Sequence, residues 1–133
     1  DMVIRDWSSD VCSSDLLYRY TPKGHTITFL MPGDLRAKLS DAALKQSCLT
    51  GCAAVIVFAT VYERISKKYV ERGVKFAHME AGHASENVYL EAEALGLGTV
   101  AVGSFMEGDV KKILGLPADQ EPLYMMPVGR KVE

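Results

Sequence analysis

A run from Val74 to Ser104 constrains the fold of this 133-residue chain more strongly than any other stretch. Its apolar residues recur at steps of three and four, as in an amphipathic helix, and they form two adjacent stripes. The first stripe contains Val74, Ala77, Ala81, Ala84, Val88, Ala92 and Leu95, and the second contains Phe76, Met79, His83, Leu90 and Ala94. Because two stripes leave little polar circumference, the pattern predicts a long helix at the centre of a domain or in a dimer interface.

Glycines divide this run into a helix, a strand and a loop. Gly82 in mid-helix costs about 1 kcal/mol relative to alanine, which predicts a close contact with another helix or a ligand. Gly96 after Leu95 is typical of a left-handed helix C-cap. We expect Thr99–Val102 to be a strand. Gly103 then begins a turn where a backbone can approach a ligand closely.

The remaining segments alternate between strands and short helices. Asp34 is predicted to cap a helix that ends near Ser47. Ser104 and Glu107 have capping-box spacing for a helix over Asp109–Leu114. The other expected elements are a hairpin of Leu17–Tyr20 and His25–Met31 around Pro22-Lys23-Gly24, a buried central strand at Ala53–Ala59, a helix at Ile65–Arg72 and a final strand at Pro122–Val128.

Composition places the chain among ordinary globular proteins. Hydrophobic residues make up 48% and charged residues 24%, and the length favours one domain. A net charge of −2 provides no basic field for nucleic acid. The longest apolar run is too short to span a bilayer. The three cysteines make no disulfide framework, which predicts a cytoplasmic location.

The first fifteen residues differ from everything that follows. Ser8-Ser9-Asp10 recurs as Ser13-Ser14-Asp15, and the stretch around the repeat resembles a translated sequencing adapter. We interpret residues 1–15 as a non-native, disordered remnant, with a native polar loop as the alternative. Residues 16–133 are then expected to be the C-terminal part of one domain of a longer protein.

Several enzyme motifs fit poorly. His78-Met79-Glu80 begins a zinc-deaminase signature, but the P-C-x-x-C partner is absent from the sequence. His78 and His83 are five residues apart, whereas two ligands on one helical face need four. Cys48 and Cys52 lack the doubled spacing of a zinc ribbon. We therefore predict no metal site, and we expect both histidines to be core or interface residues rather than proton carriers.

Four segments in order carry a family resemblance. They are His83-Ala84-Ser85-Glu86-Asn87-Val88-Tyr89-Leu90-Glu91-Ala92, Ala94-Leu95-Gly96-Leu97-Gly98-Thr99, Val102-Gly103-Ser104-Phe105, and the tail Pro122-Leu123-Tyr124 with Pro127-Val128-Gly129-Arg130. Together they resemble the FMN-dependent nitroreductase superfamily, and most closely its SagB-type dehydrogenase branch, which is similar to azoline oxidases. Met106 departs from this pattern, since the family often has an acidic residue there.

The resemblance implies a fold, a cofactor and a partner. The expected fold is α+β, with a mixed or antiparallel sheet flanked by helices around a long central helix and incomplete at its N-terminus. The family also implies a homodimer with FMN at the interface. Ala101, Val102, Gly103 and Ser104 would line the isoalloxazine ring, and Arg130, with Lys131, would meet the phosphate. No residue is identified as a catalytic base.

The function that the resemblance implies is flavin-dependent hydride transfer to or from a small-molecule or peptide substrate. Azoline oxidation and NAD(P)H-driven reduction of nitro or quinone compounds are its two alternatives. The family's arginine-serine phosphate-binding segment has no match between Leu16 and Met31. We therefore expect this chain alone to be inactive and to bind FMN poorly or not at all. A degenerate, non-catalytic binding module is the alternative from a different class.

Overall fold

A six-stranded antiparallel sheet, in the order β3-β2-β1-β4-β6-β5, organises the computed structural model. The structure describes Met2–Val3 and residues 15–131. The strands are β1 (Met2–Val3), β2 (Leu16–Thr21), β3 (Thr26–Pro32), β4 (Ala54–Thr60), β5 (Leu97–Thr99) and β6 (Glu121–Arg130). The helices are α1 (Arg36–Ala42), α2 (Tyr62–Tyr69), α3 (Arg72–Ala94) and α4 (Glu107–Leu114), with a 3-10 turn at Ser47–Leu49.

The core lies where β4 and β6 pair near the middle of the sheet. Val57 on β4 and Met125 and Met126 on β6 are almost completely buried. Leu39 of α1 and Val110 of α4 belong to the same buried group. The predicted α+β class, the hairpin, the central position of β4 and the final strand are confirmed. The predicted burial of β4 is confirmed for Val55 and Val57, while its other residues are half-buried.

The expected remnant at residues 1–15 falls almost entirely outside the described residues and stays a prediction. Within it, Met2 and Val3 pair with Phe58 and Val57 of β4, and Met2 also pairs with Tyr20 of β2. The backbone of these two residues thus completes the sheet between β2 and β4. In the described part of the chain, no helix has the length and apolar character needed to cross a membrane.

The central helix is confirmed, but its predicted burial is wrong for much of its surface. Buried positions form one line: Gly73, Ala77, Ala81, Ser85 and Ala92. Val74 and Leu95 are 43% and 64% exposed, because they lie at the two ends of the helix. The second stripe faces away from the sheet, and Met79 and Leu90 are exposed there. Gly82 meets no neighbour, so the close contact predicted for it is absent within the described chain.

Helix boundaries differ from the prediction at α1, α2 and α4. The α2 helix spans Tyr62–Tyr69 rather than Ile65–Arg72, because Val70 takes a positive φ angle and Arg72 already begins α3. The α1 helix ends at Ala42 because Leu44 and Lys45 take positive φ angles and the Ser40 hydroxyl donates to the Gln46 carbonyl. Asp34 lies one residue before the N-cap, yet its carboxylate accepts the Arg36 N–H at 2.9 Å. The capping box of Ser104 and Glu107 is wrong. Glu107 is already the first residue of α4, and the N-cap residue is Met106.

Candidate functional site

The glycine loop after β5 begins where proline interrupts a strand ladder. Thr99 pairs with Val128, and Val102 pairs with Met125 through two hydrogen bonds of 2.9 and 3.0 Å. This constant register places Pro127 opposite Val100, and proline has no N–H to donate. The strand predicted for Thr99–Val102 is therefore displaced. It runs over Leu97–Thr99, and Val102 rejoins the ladder as an isolated bridge.

Three side chains hold the Ala101–Ser104 loop from different sides. The Tyr89 hydroxyl on α3 accepts the Ala101 N–H at 2.7 Å. The Gln46 side chain donates to the Ser104 carbonyl at 3.3 Å. Gly103 lies on the Tyr124 ring, so closely that an added Cβ would be 3.2 Å from Tyr124 Cε1. The loop is thus attached to α3, to the segment after α1 and to β6.

Two backbone donors of this loop remain available. Among the described residues, no acceptor bonds the N–H of Gly103 or of Ser104. Both residues are exposed. Backbone N–H groups that no other group has bonded can donate to an acceptor atom with partial or full negative charge.

A groove of about 390 Å³ lies beside this loop at the end of β6. The segment before β4, strand β5 and the last residues of β6 line it, including Cys48, Gly51, Gly98, Thr99, Gly129 and Arg130. Val100 also lines the groove, but Ala101–Ser104 do not. Arg130 lies five residues along β6 from Met125, the partner of Val102. This separation is about 17 Å in an extended strand.

The two predicted cationic residues, Arg130 and Lys131, take different positions. Arg130 is exposed and lines the groove. The Lys131 ammonium is 2.5 Å from a carboxylate oxygen of Glu93 on α3. Both partners of this ion pair are exposed, so solvent screens it strongly. The structure therefore brings Arg130, but not the Lys131 ammonium, to the groove.

The histidines and cysteines do not form a common centre. His78 is exposed and its Nε2 lies 2.8 Å from the Tyr62 hydroxyl. Burial raises the pKa of Tyr62, and the charges of Glu107 and Glu121 raise it further. His83 is also exposed, so neither histidine is a core residue of the single chain, and their predicted place in an interface stays a prediction. Among residues 2–3 and 15–131, no group of three or more histidine, cysteine, aspartate or glutamate side chains could hold a metal ion.

The sequence analysis predicted none of the loop contacts that Tyr89, Gln46 and Tyr124 make. A tyrosine within a largely apolar helix face carries a signal, because a half-buried hydroxyl normally finds a hydrogen-bond partner. The identity of that partner depends on the break in the β5–β6 ladder. Gln46 has no comparable signal, since its role depends on the tight reversal that follows α1.

Comparisons with known proteins agree with this architecture. A sequence model of the nitroreductase family matches residues 5–130. A curated protein of Methanocaldococcus jannaschii, named "Putative nitroreductase", is 42% identical over 117 residues, which are 88% of this chain and 58% of that protein. The chain thus spans little more than half the length of this relative.

Solved structures share the fold. A crystal structure described as a "putative nitroreductase" from Anabaena variabilis superposes with a TM-score of 0.88 at 26% identity, and the match covers 98% of this chain and 27% of that one. The NADPH:FMN oxidoreductase from Vibrio harveyi, complexed with NAD⁺, gives a TM-score of 0.65 at 21% identity. That match covers 97% of this chain and 55% of the Vibrio protein.

Proposed function

Because this chain belongs to the nitroreductase family, we propose that it forms part of an FMN-dependent oxidoreductase and contributes two elements of the flavin site. One observation carries the proposal. Arg130 and Val100, the residue just before the Ala101–Ser104 loop, both line the groove, and no described acceptor bonds the N–H groups of Gly103 and Ser104 in that loop. A flavin mononucleotide has a polarised ring at one end and a phosphate at the other, so it needs donors at both places.

The loop would serve the ring. Bound FMN supplies hydride transfer through its N5 atom, and backbone donors near that edge tune its electronics. The N–H groups of Gly103 and Ser104 are suited to this role because the contacts of Tyr89, Gln46 and Tyr124 hold the loop. Donors that are fixed before the cofactor arrives pay little reorganisation energy when they bind it.

Arg130 would serve the phosphate. Guanidinium groups bind phosphate oxygens in a bidentate geometry, and these charge-assisted hydrogen bonds are about twice as strong as neutral ones. Gly98 and Gly129 face each other in the ladder beside Arg130, and both line the groove. Small residues at these two positions keep the groove open next to the charge.

Comparing FMN with riboflavin tests the assignment of Arg130, because riboflavin lacks only the phosphate. We expect Arg130→Gln to weaken FMN binding about tenfold or more, the usual cost of removing a charged hydrogen bond. Riboflavin affinity should not change. Flavin fluorescence, titrated up to millimolar ligand, measures both dissociation constants. Lys131→Gln is the matched control and should have a much smaller effect, since Lys131 already pairs with Glu93.

Each result of this titration is informative. Equal loss of FMN and riboflavin affinity in Arg130→Gln would contradict the phosphate assignment. Absence of flavin binding at every concentration would contradict the proposed function of this chain. We expect the wild-type chain to bind FMN weakly, because the arginine-serine segment implied by the family resemblance has no match in residues 16–31. Yellow FMN retained through purification would contradict that expectation.

We also propose the SagB-type dehydrogenase branch, on the strength of the four resembling segments named above. Its reaction class is the oxidation of a peptide azoline, with oxygen reoxidising the flavin. The second candidate is NAD(P)H-driven reduction of nitro or quinone compounds, and the name of the Vibrio relative favours it. Assays of the complete parent protein distinguish the two. Rapid flavin bleaching by NADPH without a peptide supports the reductase.

The proposed assembly is a homodimer through α3, in the cytoplasm. Met79 and Leu90 are 47% and 62% exposed although both are large and apolar. They are eleven positions apart, which is close to three full turns, so they lie on one face. An apolar helix face of this kind is typical of a protein–protein contact.

A further inference from the structure

At the outer edge of the sheet, the N–H of Ala101 is bonded by a side chain instead of by a neighbouring strand. Strand β5 is the edge strand, and its line continues through Val100 and Ala101 to the bridge at Val102. Val102 exchanges both hydrogen bonds with Met125, so in antiparallel alternation the N–H of Ala101 points away from β6. That position would face the next strand in a wider sheet.

The Tyr89 hydroxyl is the acceptor that a further strand would otherwise supply. This hydroxyl, from the penultimate turn of α3, accepts the Ala101 N–H at 2.7 Å in a partly buried position. It joins residues twelve apart in sequence, across the helix end, the Gly96 reversal and the whole of β5. This bond anchors the chain two residues before the available N–H of Gly103.

We propose that Tyr89 is a positioning residue whose hydroxyl fixes the Ala101–Ser104 loop in the conformation that presents the N–H groups of Gly103 and Ser104. Pro127 explains why the strand needs this anchor. Proline has no N–H to donate to the Val100 carbonyl, so that hydrogen bond between the loop strand and β6 cannot form. Without Tyr89, the described contacts would leave residues 100–102 with only the Val102–Met125 bridge to β6. The effect of Tyr89 on a flavin rests on the function proposed above, whereas its effect on the loop does not.

Amide exchange in the Tyr89→Phe variant of the full 133-residue chain tests the loop. Phenylalanine keeps the ring and removes the acceptor. We expect the Ala101 amide to exchange about tenfold faster, as for the loss of one hydrogen bond. The amides of Val102 and Met125, which bond to each other, should keep their rates. Tyr69→Phe is the matched control, because no described residue hydrogen-bonds the Tyr69 hydroxyl.

Flavin titration of the same variants tests the positioning role. Tyr89→Phe should weaken riboflavin and FMN equally, by severalfold, since the loop acts on the ring that both ligands share. This pattern differs from that of Arg130→Gln, which should affect FMN alone. A blue or red shift of the bound flavin spectrum in Tyr89→Phe would support displaced donors, because a purely structural loss changes occupancy without changing the spectrum.

Three outcomes would overturn the inference. The first is an unchanged Ala101 rate in Tyr89→Phe, and the second is uniform acceleration of every amide, which would indicate global destabilisation. The third is faster exchange at Ala101 with unchanged affinity and spectrum for both flavins. If the wild-type chain binds neither flavin, the proposed function fails, while the exchange rates still decide whether Tyr89 holds the loop.

Discussion

Gly103 lies against the ring of Tyr124, and this contact limits the size of the residue that the loop can carry. An added Cβ would be 3.2 Å from Tyr124 Cε1, which is closer than ordinary van der Waals contact. The aromatic ring belongs to the central part of β6, next to the buried Met125. A larger residue would therefore have to move the loop, the ring or both.

Substitutions of increasing size at Gly103 should show this limit. We expect Gly103→Ala to weaken flavin binding slightly and Gly103→Val to weaken it strongly, as the loop and its two donors move off the Tyr124 ring. The free energy of unfolding should fall by about 1 kcal/mol or less for alanine and by about 1–3 kcal/mol for valine. Flavin titration and urea denaturation measure the two effects.

Gly108 provides the control for these substitutions. It lies in the first turn of α4, and an added Cβ there meets nothing within 4 Å. Gly108→Ala should leave flavin affinity unchanged and should stabilise the chain slightly, because alanine favours a helix. Equal effects of alanine at the two positions would show that the Tyr124 contact does not limit the loop.

The α2–α3 hairpin shows how one glycine determines the distance between two helices. Val70 connects them with a φ of +49°, a conformation that is unusual for a β-branched residue. Gly73 then packs on the preceding helix so closely that a Cβ would lie 2.7 Å from Ser66 Oγ and 2.8 Å from the Ser66 Cα. The tight connection is possible because residue 73 has no side chain.

Alanine substitutions at two glycines of α3 should have opposite effects on stability. Gly73→Ala should lower the free energy of unfolding by about 1–3 kcal/mol, because it forces the two helix backbones apart. Gly82→Ala should raise it by up to about 1 kcal/mol, because its site is open and alanine is the better helix former. Thermal and urea denaturation of the two variants against wild type measure both changes.

A destabilising Gly82→Ala would indicate that the open site is covered in the assembled protein. In that case the loss of unfolding free energy should depend on protein concentration, since the added methyl group would clash only in associated chains. A loss that is independent of concentration would contradict the open site itself. Little or no effect of Gly73→Ala would contradict the close packing of α2 on α3.

Elements that depend on residues close together in sequence were predictable. The contacts around the Ala101–Ser104 loop were not, because they join residues that are distant in sequence. The periodicity of α3, the Gly96 C-cap and the apolar run of β4 each depend on neighbouring residues, so the sequence carries them directly. The end of β5 depends on Pro127, almost thirty residues away, because the proline interrupts pairing across the ladder. The exposure of Met79 and Leu90 likewise depends on which face of α3 meets the sheet.

At the scale of the whole molecule, α3 exposes large apolar side chains on the face that does not contact the sheet. Its buried line of small residues faces the sheet, while Met79 and Leu90 on the opposite face are exposed. His83 and Ala94, also exposed, extend this face along the helix. A helix with apolar residues on both sides is normally covered on both sides. The proposed dimer would cover the second side.

Leu90→Asp should separate the proposed dimer without unfolding the chain. Leu90 is 62% exposed in the single chain, so its replacement costs the monomer little, whereas a carboxylate in an apolar contact lacks a partner. We expect the dimer dissociation constant to rise about tenfold to a hundredfold, as for removal of an interface residue worth 1.4–2.8 kcal/mol. Sedimentation equilibrium over a range of concentrations measures it, and circular dichroism checks the fold.

Leu44→Asp is the matched control, because Leu44 is a 69% exposed leucine outside α3, in the turn after α1. Its positive φ of 58° also suits aspartate better than leucine, so this variant should fold at least as well as wild type. If α3 is the contact, only Leu90→Asp changes the molecular mass in solution. A wild-type chain that remains monomeric at every concentration, or equal dissociation by the two variants, would rule out the α3 face as the interface.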